Sequence, residues 1–136
     1  MKTLITILFA ILVKKRNNKW ISNPLETQAK TFDKLLLKAA NTEFGRDHNF
    51  SNIKNYQDFK NQVPIRDYEG LKPYVDKVVS GEKNILWPGQ PLYFAKTSGT
   101  TSGAKYIPIT KESIKTHINS ARDALLNYFL KTKNYK

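Results

Sequence analysis

Apolar residues recur at helical spacing over most of this chain, and strand-forming runs flank only one short stretch. Leu4 to Val13 is apolar apart from Thr6. It is too short to cross a bilayer, which takes about 20 residues, and it predicts a buried amino-terminal helix. With Met1-Lys2 in front it imitates a signal peptide, but Lys14-Lys15-Arg16 follows instead of a small-residue cleavage site. A helix lying in a membrane surface through residues 4–19, anchored by those bases, is the less favoured reading.

Asn23-Pro24-x-Glu26 reads as a helix start, with Asn23 as cap, Pro24 in the first turn and Glu26 reaching back. Leu25, Ala29, Phe32, Leu36 and Ala39 then form one apolar stripe that ends near Ala40. This stripe is expected to be core. The segment 42–49 reads as a loop broken at Gly45. Asn55, with Asp58 after it, caps a short helix anchored by Phe59 and stopped by Pro64.

Asp67 opens the next helix, which Pro73 is expected to split in two and Gly81 to end in a left-handed turn. Tyr68, Leu71, Tyr74, Val75, Val78 and Val79 make its buried side. Trp87 lies in a Pro/Gly-punctuated connection and reads as a packing residue before a ligand-stacking one. Thr110 caps a long helix to about Leu130, whose stripe is Ile114, Ile118, Ala121, Leu125, Tyr128 and Phe129. His117 falls beside that stripe. His48 sits in the polar loop with no acid–base partner at readable spacing.

Length and composition limit the function classes. The 136 residues fit one small domain with a modest core, and 40% hydrophobic with 25% charged residues are globular values. Absence of cysteine excludes disulfides and thiolate metal sites and suits a cytoplasmic protein. The net charge is +12 and sits mainly at the two ends. Residues 1–22 hold Lys2, Lys14, Lys15, Arg16 and Lys19 with no acid, and residues 111–136 hold six bases against two acids. Such runs are usually solvated surface. No base-stacking module or zinc motif accompanies them, so no nucleic-acid partner is expected.

The most informative stretch is Y-F-A-K-T-S-G-T-T-S-G-A-K-Y-I-P-I-T, residues 93–110. Its centre, Thr97-Ser98-Gly99-Thr100-Thr101-Ser102-Gly103-Ala104-Lys105, holds hydroxyls, two glycines and one lysine, and no acid. Glycines let such a bend turn its N–H groups inward, and hydroxyls with an ammonium complete an anion site. Strand-formers lie on both sides. A Walker loop is excluded, because Ala104 separates Gly103 from Lys105 and a strand-like run follows where that motif needs a helix. A Ser/Thr/Gly-rich surface hairpin is the plain alternative.

Ser98-Gly99-Thr100-Thr101 with Lys105 resembles the phosphate loop of the adenylate-forming enzymes, the acyl-CoA synthetases, luciferase and relatives. With Ala95-Lys96 before it and Tyr106-Ile107-Pro108 after, the chain resembles one branch, the auxin-responsive promoter family of plant acyl acid amido synthetases and their bacterial relatives. Asn23-Pro24-Leu25-Glu26, Thr42-Glu43-Phe44-Gly45, Val63-Pro64-Ile65-Arg66-Asp67-Tyr68-Glu69, Lys72-Pro73-Tyr74 and Gly81-Glu82 leading to Leu86-Trp87-Pro88-Gly89 match it in order. Against the wider superfamily pattern, Ser102 stands for a glycine and Ala104 for a proline, with Lys105 in register.

The resemblance implies an α/β fold: residues 1–91 mainly helical, 92–110 strand, phosphate loop and strand, 111–130 helix, with most of the sheet outside this chain. It implies the amino-terminal piece of a longer enzyme, inactive and poorly stable alone. It further implies ATP-dependent activation of a carboxylic acid as acyl-adenylate and transfer to an amine or amino acid. Thr97, Ser98, Gly99, Thr100, Thr101, Ser102 and Gly103 would bind the ATP phosphates, and Lys105 would both bind and act catalytically. Mg2+ is implied as counter-ion, with no metal ligand in this chain. The alternatives are a ligase with a thiol acceptor, like the acyl-CoA synthetases, and a non-catalytic basic module that binds nucleic acid or anionic membrane.

Overall fold

Six α-helices and one antiparallel hairpin make up the computed structural model, which describes residues 2–98 and 103–133. In order they are α1 (Lys2–Ser22), α2 (Pro24–Ala39), α3 (Glu43–Asp47), a 3₁₀ turn (Phe50–Asn52), α4 (Tyr56–Gln62), α5 (Tyr68–Val79), β1 (Tyr93–Lys96), β2 (Tyr106–Ile109) and α6 (Lys111–Thr132). The chain divides into two compact units, Met1–Ala29 with Glu112–Lys136, and Lys30–Lys111. The described residues are mostly helical. The sheet beyond the hairpin, expected of an α/β fold, is not among them.

In the first unit Ala10, Val13 and Leu126 form a small buried cluster, with Phe129 and Leu130 packed against it. Arg16 and Arg122 both bond the carboxylate of Asp123. The expected burial of the Leu4–Val13 run holds for Ala10 and Val13 but not for most of it: Leu4, Ile5, Leu8, Phe9, Ile11 and Leu12 are all more than half exposed. Its apolar residues run all the way round the helix, and one neighbour covers one side. No described helix is long and apolar enough to cross a membrane.

The stripe expected on α6 is likewise displaced. Ile118, Leu125 and Tyr128 stay exposed, and Leu126 is the buried residue. Adjacent helix positions lie about 100° apart, so a face centred one residue later leaves Ile118, Ala121, Leu125 and Tyr128 in solvent, while Ile114 and Phe129 at its margin stay half-buried.

The second unit is built on aromatic contacts. Phe32 meets Phe59 edge-on at 5.5 Å, Phe59 lies against Phe50, and Phe50 against Phe44. Leu36, Ala39, Ile53, Val75, Val78 and Ile85 are buried. Of the stripe assigned to α2, Leu36 and Ala39 are buried and Phe32 half-buried, whereas Leu25 and Ala29 are exposed.

Segment 42–49 corrects the expected loop. Glu43–Asp47 is a helical turn capped by Thr42, whose hydroxyl accepts the Gly45 N–H at 3.0 Å and donates to the Ala39 carbonyl at 2.7 Å. The carbonyls of Asn84 and Ile85 accept the Glu43 and Phe44 N–H groups. Partners for its first N–H groups let so short a helix persist. Gly45 is a packing position rather than a break, as a β-carbon there would stand 2.0 Å from the Ala39 carbonyl oxygen.

Pro73 does not split α5, another correction. Val75 and Val78 are buried beyond the proline, and a Lys72–Asp76 pair bridges its position on the outer face. Tertiary packing of that kind can outweigh one missing helix bond. The rest of α5 follows expectation. Asp67 accepts the Gly70 N–H, Gly81 takes φ +97°, and Glu82 and Gly81 N–H groups return to Lys77 and Val78 carbonyls. Val79, counted with the buried side, is exposed.

Candidate functional site

The hairpin is in the register its two strand-forming runs allow. Tyr93 opposes Ile109, Phe94 opposes Pro108, Ala95 opposes Ile107 and Lys96 opposes Tyr106. Pairing continues one step past the strands. The Thr97 N–H donates to the Lys105 carbonyl at 3.0 Å, and the Lys105 N–H to the Thr97 hydroxyl oxygen at 3.3 Å. Thr97 and Lys105 therefore form the neck of the candidate loop.

Beyond the neck, Ser98, Gly103 and Ala104 are exposed. Gly103 takes φ +79°, and a β-carbon built there would meet nothing within 4 Å. That backbone angle suits glycine. Gly99, Thr100, Thr101 and Ser102, assigned to the same phosphate site, lie outside the described residues.

Two lysines flank the neck. The Lys105 ammonium lies 5.4 Å from the centre of the Tyr68 ring, and that of Lys96 lies 6.0 Å from the Tyr106 ring. Neither has a carboxylate partner among the described residues. The Tyr68 hydroxyl accepts the N–H of Tyr106 at 2.9 Å, fixing β2 to the first residue of α5. Phe94 stacks edge-on against Tyr106 at 6.2 Å.

Lys96, Tyr68 and Tyr106 carry no site role in the sequence reading, which names them only as matching or packing residues. Lys96 could have been found there, since it directly precedes Thr97 and any in-register hairpin returns it to the neck. Tyr68 could not, because 38 residues separate it from Tyr106.

His48 departs from its expected setting. It is buried and stacked on Phe44 at 4.1 Å, with Nδ1 2.7 Å from the Phe44 carbonyl and Nε2 2.7 Å from the Arg66 guanidinium. That pairing needs the hydrogen on Nδ1 and leaves neither ring nitrogen open to a substrate. Nearby, the Tyr74 hydroxyl donates to Asp47 at 2.8 Å. Burial and that acceptor together push the Tyr74 phenol up. Trp87 lines a cavity of about 20 Å³ with Val78, Ile85 and Pro108, space for one water and not for a stacked ligand. Among the described residues no group of three or more His, Asp or Glu could hold a metal ion.

Comparison with known proteins adds the following. The family model described as the GH3 family N-terminal domain matches residues 13–136. Indole-3-acetic acid-amido synthetase GH3.15 of Arabidopsis thaliana is 31% identical over 100 residues, 72% of this chain and 17% of that protein. Jasmonoyl--L-amino acid synthetase JAR4 of Nicotiana attenuata is 29% identical over 87 residues, 62% of this chain and 15% of that protein. The solved structure titled AtGH3.15 acyl acid amido synthetase in complex with 2,4-DB superposes with a TM-score of 0.68 at 26% identity, over 76% of this chain and 18% of that one. The chain thus spans about one sixth of the length of the curated relatives it matches.

Proposed function

The chain belongs to the GH3 family, and from that membership we propose that it supplies the ATP-phosphate-binding hairpin of an acid–amino acid ligase of the adenylate-forming α/β type. Relatives named as amido synthetases support the reaction class. The observation that carries the site is the neck. Two paired strands hold Lys105, with no described carboxylate on its ammonium, beside a glycine-containing bend whose described shoulders are open.

In this reading a carboxylate oxygen attacks the α-phosphorus of ATP, the bond from that phosphorus to the oxygen shared with the β-phosphate breaks, and pyrophosphate leaves with that oxygen, giving an acyl-adenylate. The acyl group then passes to the amine of an amino acid, with AMP as the second leaving group. This chain's residues hold the polyanion. Ser98, Gly99, Thr100, Thr101, Ser102 and Gly103 offer N–H and O–H donors to the β- and γ-phosphates. Thr97, whose oxygen accepts from the Lys105 N–H, keeps its own hydrogen for donation. Lys105 offsets the charge that grows on the departing pyrophosphate, the kind of electrostatic contribution that dominates phosphoryl and adenylyl transfer. Mg2+ would share that charge through ligands outside the described residues.

The test is carboxylate-dependent exchange of pyrophosphate into ATP, using the protein expressed from its complete reading frame. Exchange that needs one of a broad panel of acids, and falls with Lys105→Ala or Ser98→Ala, is expected. No exchange with any acid would contradict an adenylating ligase.

A further inference from the structure

We infer that Tyr68 is the positioning residue for Lys105, an inference that rests on the phosphate-binding reading of the hairpin. A lysine on a hairpin neck has four rotatable side-chain bonds, and an unguided ammonium would occupy many positions. Tyr68 restricts it in two ways. Its ring lies 5.4 Å from the Lys105 Nζ, near enough for attraction between the cation and the ring face. Its hydroxyl accepts the Tyr106 N–H at 2.9 Å, which holds the strand immediately after Lys105.

The anchorage extends behind Tyr68. Asp67 caps α5 through the Gly70 N–H. Arg66 reaches His48, itself tied to the Phe44 carbonyl. The segment entering α5 is therefore fixed against the aromatic core, and Tyr68 projects from that fixed segment toward the neck. An aromatic ring suits the role better than a carboxylate. It orients the ammonium without neutralising it, so the full charge stays available to a phosphate. A carboxylate would compete with the phosphate for the same cation.

The test uses ATP with the protein expressed from its complete reading frame and the variants Tyr68→Phe, Tyr68→Leu, Lys105→Ala and the Tyr68→Leu/Lys105→Ala pair. Tyr68→Leu is expected to weaken ATP binding about tenfold, and Tyr68→Phe, which keeps the ring, about threefold or less. In the Lys105→Ala background Tyr68→Leu should add almost nothing, since the residue acts through that lysine. A second readout needs no nucleotide. The Lys105 ε-methylene protons should carry a ring-current shift in the NMR spectrum that Tyr68→Phe retains and Tyr68→Leu abolishes. Equal losses from Tyr68→Leu with and without Lys105 would make Tyr68 merely structural and overturn the inference. So would an unshifted ε-methylene in the unsubstituted protein, even with Lys105→Ala weakening ATP. If Lys105→Ala leaves ATP affinity unchanged, the phosphate-binding reading itself fails, and the positioning role with it.

Discussion

Gly45 faces Ala39 so closely that a β-carbon at residue 45 would stand 2.0 Å from the carbonyl oxygen of residue 39. That oxygen already accepts the N–H and the hydroxyl of Thr42, so it is held from two sides. Gly45→Ala is therefore expected to force the turn between α2 and α3 apart, at an overpacking cost of about 1–3 kcal/mol. Thermal melting against the unsubstituted protein measures it. An unchanged midpoint would mean that this turn yields freely.

Thr42 links the same two helices through one buried oxygen that both donates and accepts. Thr42→Val keeps the shape and removes both bonds, leaving the Gly45 N–H without its acceptor. The expected loss is about 1–2 kcal/mol, as for other helix caps. Thr42→Ser, which retains the hydroxyl, should recover most of it. Denaturant titration of the three proteins decides between a polar and a packing role.

Asp123 gives a pH dependence with a definite sign. Burial alone would push its carboxyl up, but bonds from Arg16 and Arg122 outweigh burial and hold it below the ordinary value of 3.8. A carboxylate depressed in the folded state contributes stability that is present above its unfolded value and lost as pH falls through the folded one. The acid limb of a stability–pH profile, below about pH 4, should therefore flatten in Asp123→Asn. A limb of unchanged steepness would place the acid sensitivity elsewhere.

Local chemistry made much of the fold legible. Caps at Asn55 and Asp67, Pro24 in a first turn and Gly81 past a helix end are each decided within a few residues, and each stands where its side chain suggested. Readings that failed depended on distant partners. The Leu4–Val13 run says only that the helix is apolar all round, not which side finds a neighbour. Pro73 looks like a break until Val75 and Val78 are seen packed beyond it. His48 looked solitary because Arg66 lies 18 residues away.

The hairpin divides in the same way. Its strands and the positions of Thr97 and Lys105 follow from two strand-forming runs around a glycine-containing bend. The tyrosine beneath Lys105 comes from another element, and spacing along the chain carries no trace of it.

In the proposed ligase, Lys105 and its loop recognise the phosphate tail of ATP. The affinity of the protein, expressed from its complete reading frame, for ATP and for AMP before and after Lys105→Ala measures that recognition directly. ATP binding is expected to weaken by about tenfold or more, the scale of one charge-assisted contact, with AMP binding unchanged. Equal losses for both nucleotides, or no loss for either, would contradict phosphate recognition by Lys105.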